Sequence, residues 1–449
     1  MDLNSRLVTL GSGSAAGGAG GESYWFLVVE GDQSDDLVGK SIATGTNKQS
    51  FLVFDYQNKM ATICVDGDGA ITWKKQISSV GSNSGGTMAG NMDIAVDSSD
   101  NVYVVGNTIN GAVSWSNNDT ITAKYNSSGV LQWAKNYGDS SAIERLSSVA
   151  VDGSGNVICH GVSYIVSGGA LLFLKYDSSG SLVHKRIIGT TATDPYDSRA
   201  SFVYSDGTIG YFASLKYSNI WRGAFVRHSS TSSAPSFTFS KYMTNSTSTQ
   251  FAYDASMDSS ENMIGVLRND GTDRAIIIKV NSSGAEQWIK ALDHNSATQV
   301  VFRGSAVDSS DNIYACGYWV NSSSVYKAVL IKYNSSGVIE WQRDVAHSNG
   351  FILFTGIAVN SLGDLAVSGY VKLSGDTEYS LVTARLPSDG SLTGTYGDFT
   401  YSAGAFVAYS GGTGLGNITS SNQATNELDA TSPNTFGDAS FSSTSLTTL

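Results

Sequence analysis

The chain has 449 residues, with 27 lysines and arginines against 39 aspartates and glutamates, a formal net charge of −12. Only 15% of residues are charged, while 41% are apolar and 10% aromatic, which excludes a disordered chain. The acidic balance and the lack of any lysine/arginine cluster exclude nucleic acid as a partner, because that needs a basic footprint. Forty-nine glycines and few strong helix formers argue against a helical protein.

The N-terminus, residues 1–22, is nearly all small and polar. With one basic residue and no apolar run of signal length, it reads as a mature N-terminus and a flexible arm. No stretch approaches 18 consecutive apolar residues, so no membrane-spanning helix is expected. The first strand-like run is SYWFLVVEGD, Ser23 to Asp32, and it is expected to open the first blade of the repeat described next.

From there the chain repeats itself. CVDGDGAITW (Cys64 to Trp73), KYNSSGVLQW (Lys124 to Trp133), KYDSSGSLVH (Lys175 to His184), KVNSSGAEQW (Lys279 to Trp288), KYNSSGVIEW (Lys332 to Trp341) and RLPSDGSLTG (Arg385 to Gly394) are copies of one hairpin. Their turn glycines, Gly69, Gly129, Gly180, Gly284, Gly337 and Gly390, are spaced by 60, 51, 104, 53 and 53 residues. The double spacing places a hidden seventh copy near residue 232, where RHSSTSSAPSFTFSKY keeps the order of residue types without the glycine. Between these copies lies a second hairpin, as in IAVDSSDNVYVVGNT from Ile94 and SAVDSSDNIYACGYW from Ser305. Aspartate, asparagine, serine and glycine close such turns by bonding their own backbone or tolerating left-handed φ. Two hairpins of short alternating strands per unit of about 53 residues describe a propeller blade. The expectation is therefore an all-β, seven-bladed β-propeller of four-stranded antiparallel blades over residues 23–396, flanked by the arm 1–22 and a C-terminal strand and low-complexity tail, 397–449.

These hairpins resemble the bacterial and phage β-propeller repeat built on valine-aspartate-serine and lysine-tyrosine-aspartate turns with a closing tryptophan. The glycine-rich start followed by SYWFL is also similar to the leaders of structural proteins of marine tailed phages, cyanophages included. That resemblance implies a non-enzymatic virion protein on the tail or tail fibre, made in the host cytoplasm. It would be present in multiple copies, joined to other virion subunits through its terminal arms and used for assembly and host-surface attachment. A secreted or cell-surface bacterial propeller that binds glycans or proteins is the alternative, and a propeller-based glycan-degrading enzyme is a third.

Site residues are less legible. Trp73, Trp133, Trp288 and Trp341 share one repeat position and are expected to pack between blades. Cys64, Cys159 and Cys316 lie in apolar runs of different units and read as free buried thiols. The acidic turns lack the further oxygens and late glutamate of a calcium loop, so they read as hairpin turns. No metal, cofactor or catalytic set is singled out. Binding is expected on the face carrying the longer, variable connections, with Trp115, Tyr164, Trp221, Trp319, Tyr370, Arg145, His294 and His347 as candidates. Each aromatic has a plainer reading as cover for a blade edge.

Overall fold

In a computed structural model the chain is all-β, and no helix occurs among the described residues. These are residues 4–13, 22–30, 37–56, 59–78, 92–109, 118–138, 143–164, 169–188, 195–217, 220–229, 237–244, 248–294 and 296–408, with strand segments 414–417, 427–428, 435–438 and 442–445.

Seven antiparallel sheets form the seven blades of a closed propeller. Blade 1 runs from the axis outward as Val38–Thr44, Ser50–Tyr56, Lys59–Val65 and Ile71–Ser78. Blades 2 to 6 repeat this order, with innermost strands Asp93–Val96, Glu144–Val151, Pro195–Val203, Gln250–Met257 and Gln299–Val307. The hidden copy is blade 4, whose outer hairpin pairs Ile220–His228 with Phe237–Thr244. Innermost strands of successive blades touch around the axis, and Gly350–Val359 of blade 7 touches Val38–Thr44 of blade 1.

Closure differs from the expectation that Ser23–Asp32 opens the first blade. Blade 7 takes its three inner strands from Gly350–Val359, Leu365–Leu373 and Ser380–Leu386, and its fourth from Glu22–Glu30. The ring is thus clasped non-covalently by the start of the chain against its end. The continuous apolar run in SYWFLVVE suits a strand buried on both faces, and Trp25, Phe26 and Val29 are at most 1% exposed.

The arms also find partners within the chain. Asn4–Gly13 pairs with Glu22–Glu30 as a fifth strand on blade 7. Downstream of the ring, Phe399–Ala403 adds to blade 6, Phe406–Ala408 to blade 5, Gly414–Asn417 to blade 4, Glu427–Leu428 to blade 3, Thr435–Asp438 to blade 2 and Ser442–Ser445 to blade 1. The tail therefore runs round the rim in the reverse blade order. Each added strand covers a row of backbone groups that an open blade edge would leave unpaired.

The turns behave as their residues dictate. Asp97 Oδ1 accepts the backbone N–H groups of Ser99 and Asn101 at 2.9 and 3.0 Å, and Oδ2 accepts from Asn101 Nδ2 and Tyr103 Oη. The first aspartate of such a turn closes its own hairpin, while the second reaches the preceding blade, as Asp100 does to Thr46 and Asp311 to Ser259. Apolar clusters fill the gaps between blades, as where Phe51, Val53 and Cys64 of blade 1 meet Val102, Val104 and Ile121 of blade 2.

Candidate functional site

Six of the seven innermost strands share one irregularity at one position. Their register slips between Gly39 and Ser41, Leu146 and Ser148, Ser198 and Ala200, Ala252 and Asp254, Phe302 and Gly304, and Phe354 and Gly356. Each slip is a β-bulge, which leaves one residue unpaired and re-aims its side chain. The bulged residues are Lys40, Ser147, Arg199, Tyr253, Arg303 and Thr355. In blade 2, register with Val105 places Met92 at the equivalent point, just before Asp93. All seven line a single axial chamber of about 430 Å³. Its lining falls near the middle of the innermost strands. Tyr318 and Tyr370 complete the wall from the second strands of blades 6 and 7.

Charge is concentrated here. The Arg303 guanidinium lies 4.1 Å from the ring centre of Tyr253 and 5.7 Å from that of Tyr318. Arg199 approaches the same Tyr253 ring at 5.9 Å, so an arginine from each neighbouring blade flanks this tyrosine. Burial holds the Lys40 ammonium below the ordinary amine range; Asp55 opposes this, and Arg303 and Arg199 add to it. Among the described residues, neither Lys40 nor Arg303 forms a salt bridge.

Two carboxyl groups sit one residue beyond the bulge position. Asp93 accepts from Ser41 Oγ at 2.7 Å and from the Val149 N–H at 2.9 Å, and burial pushes it up to about 6. Asp254 accepts the Ser305 N–H at 2.8 Å and is pushed well above the carboxylate range, again by burial. Burial weakens the charged forms of both carboxyl groups as it does that of Lys40, which leaves the guanidiniums of Arg199 and Arg303 as the fixed charges of the chamber. The chamber is therefore an electropositive site inside an acidic protein.

The residues expected from the sequence are scattered. Tyr370 lines the chamber, edge-on to Tyr379 at 5.0 Å. Trp319 is 4% exposed within a strand, not a loop; it stacks on His294 at 4.3 Å, and its Nε1 donates to Asp344 at 3.0 Å. Trp319 and His294 thus belong to one buried packing cluster. Trp221 is half-buried in a strand with Lys216 Nζ 5.6 Å from its ring centre. Tyr164 is exposed directly after a strand, and Arg145 lies half-buried at the start of the blade 3 inner strand. His347 packs edge-on to Phe399 at 5.1 Å beside Arg6 and Asp398, away from the axis. Trp115 lies outside the described residues.

Lys40, Arg199, Tyr253 and Arg303 escaped the sequence reading, although a signal exists. Each bulge residue stands five positions before the residue that opens the following turn: Gly45, Asp97, Asp152, Tyr204, Asp258, Asp308 or Asn360. Aligned on that turn, this column varies from lysine to methionine to tyrosine, whereas the alanine–valine–aspartate beside it repeats.

No known family model matches the chain, and no curated protein matches it in sequence. Solved structures are similar in fold. One is a Dyadobacter fermentans protein described as of unknown function, with TM-score 0.47, 9% identity, and coverage of 81% of this chain and 97% of that one. A Lactobacillus plantarum protein has TM-score 0.42, 12% identity, and coverage of 75% and 95%. The NanB sialidase from Streptococcus pneumoniae, as its K499G mutant, has TM-score 0.42, 11% identity, and coverage of 79% and 68%.

Proposed function

We propose that this chain is a non-enzymatic recognition propeller that attaches to a host surface, with the axial chamber as its binding site. The observation that carries this reading is the ring of bulges. A merely structural ring would repeat one residue type at the bulge, as the following turn repeats aspartate at Asp97, Asp152, Asp258 and Asp308. Here the scaffold is repeated and the aimed residue is varied, which is how a rigid fold presents a specific site. The test is binding of the purified protein to host envelopes and to a glycan array. Arg303→Ala should abolish binding with the circular dichroism spectrum unchanged; full retention of binding by that variant would overturn the reading.

The virion setting is supported by the resemblance of the glycine-rich leader and repeat to phage structural proteins. The terminal arms, which supply the outer fifth strands, would there meet neighbouring subunits. Co-purification with intact particles at fixed stoichiometry is the measurement; absence from washed particles would reject it.

One observation favours a hydrolytic reading. Asp93 and Asp254 are carboxyl groups kept toward the neutral form beside cations and a tyrosine, the state a general acid needs near neutral pH. Turnover of an acidic glycan that is lost in Asp254→Asn would establish it in place of simple binding.

A further inference from the structure

We infer that the axial chamber takes a sugar residue bearing a single carboxylate, with the anion held among Lys40, Arg199 and Arg303 and the ring laid along the tyrosine wall. This rests on the reading of the chamber as the recognition site, and it adds the ligand's chemistry.

Three independent features point the same way. The first is charge. Cations removed from bulk water are costly unless paired. Lys40 and Arg303 face the chamber with no carboxylate partner among the described residues. A planar guanidinium meets a carboxylate through two parallel hydrogen bonds, so the arginines suit that group particularly well. Asp93 and Asp254 line the same chamber, and a ligand of higher negative charge would meet whichever of them is ionised, which favours a monoanion.

The second feature is size. About 430 Å³ holds one or two sugar rings and excludes a folded protein segment. The third is the wall. Tyr253, Tyr318 and Tyr370 combine an apolar face with a hydroxyl, as a pyranose does. Ser147 Oγ of blade 3 and Ser305 Oγ of blade 6 line the same chamber, buried without a hydrogen-bond partner. Sugar hydroxyls would satisfy both, removing the desolvation cost of two orphaned groups.

Titration calorimetry at low salt, near pH 7, provides the test. The probes are glucuronate and N-acetylneuraminate, with glucose as the neutral control and glucose 6-sulfate and inorganic phosphate as other anions. The carboxylated sugars should bind at least tenfold more tightly than glucose. Arg303→Gln, which keeps hydrogen bonding without charge, and Lys40→Met should each weaken carboxylate binding at least tenfold while unfolding cooperatively like the wild type. Equal affinity for glucose would overturn the inference, and tighter binding of glucose 6-sulfate or phosphate would overturn it in favour of those anions. If no probe binds but envelope binding still depends on Arg303, the ligand class is wrong and the recognition site stands. If envelope binding ignores Arg303, the underlying reading fails instead.

Discussion

Trp133 of blade 2 closes over Gly180 of blade 3: its Nε1 donates to the Ser178 carbonyl at 3.3 Å, and a Cβ on Gly180 would fall 2.8 Å from its ring. The same clasp joins Trp25 to Gly69, Trp73 to Gly129, Trp288 to Gly337 and Trp341 to Gly390, with Phe239 over Gly284. Blade 3 carries His184 at this position, and the turn it would cover, near residue 232, is the one without a glycine. Glycine and large aromatic ring therefore occur together across each blade boundary and are missing together at one.

The clasp predicts a coupled pair. Trp133→Ala should destabilise the ring by about 2–4 kcal/mol, near the low end for aromatic truncation because the ring is only half-buried. Gly180→Ala combines a φ of +85° with the clash, whereas Gly207→Ala, at +79° in open space, carries only the backbone strain of about 1–2 kcal/mol. Denaturant melts should rank Gly180→Ala as the more damaging. In the double variant with Trp133→Ala the clash is relieved, so the two effects should sum to more than the measured total. Strict additivity would show that the ring and the glycine do not act together.

Asp93 predicts a pH dependence of stability. Its folded pKa, about 6, lies above the ordinary carboxylate value, so the folded state holds the proton more tightly than the unfolded one. The associated stability is complete below about pH 4, is lost as pH rises through about 6, and is flat above that. Asp93→Asn keeps both contacts, with its amide donating to Ser41 Oγ and its carbonyl accepting from Val149. The variant should melt above the wild type at pH 7.5 and lose much of the slope between pH 4 and 7. Parallel melting curves for the two proteins across that range would refute this.

The three cysteines should be inert in the folded protein. All are buried and free, and burial pushes Cys64 up to about 11, Cys159 up to about 12 and Cys316 well above its usual value. Iodoacetamide at pH 8 should label none before unfolding and all three in denaturant. Rapid labelling of the native protein would contradict the packing.

The two ends predict a graded response to truncation. Phe399 stacks on Phe26 at 4.1 Å with an interplanar angle of 7°, and Tyr401 is buried beside them. Ending the chain at residue 396 should therefore cost as much as losing a large core aromatic, about 3–5 kcal/mol or more. Ending it at residue 412 keeps those contacts and removes only outer strands, so the seven blades should remain folded by circular dichroism. Collapse of the longer truncate would make the rim strands essential to the ring.

The architecture was written along the chain. Seven spaced hairpin pairs, the turn glycines and the Asp97-type turns are local devices, each enforced by φ preference or by a side chain bonding its own backbone. Local sequence therefore determined blade number, strand order and the faces on which the short turns lie. Closure was not legible in this way. Ser23–Asp32 has the same apolar run whether it opens one blade or completes another, and only the geometry of a closed ring assigns it to the strands at 350–386. The polar tail likewise acquires a place only from backbone hydrogen bonding to edges that exist once the blades have formed. The binding chamber is the strongest case. Lys40, Arg199, Tyr253 and Arg303 are separated by about one repeat or multiples of it, and each looks like an ordinary strand residue. A bulge turns each toward the axis, and the ring brings the seven equivalent positions together around it. Convergence of that kind is a property of tertiary structure alone.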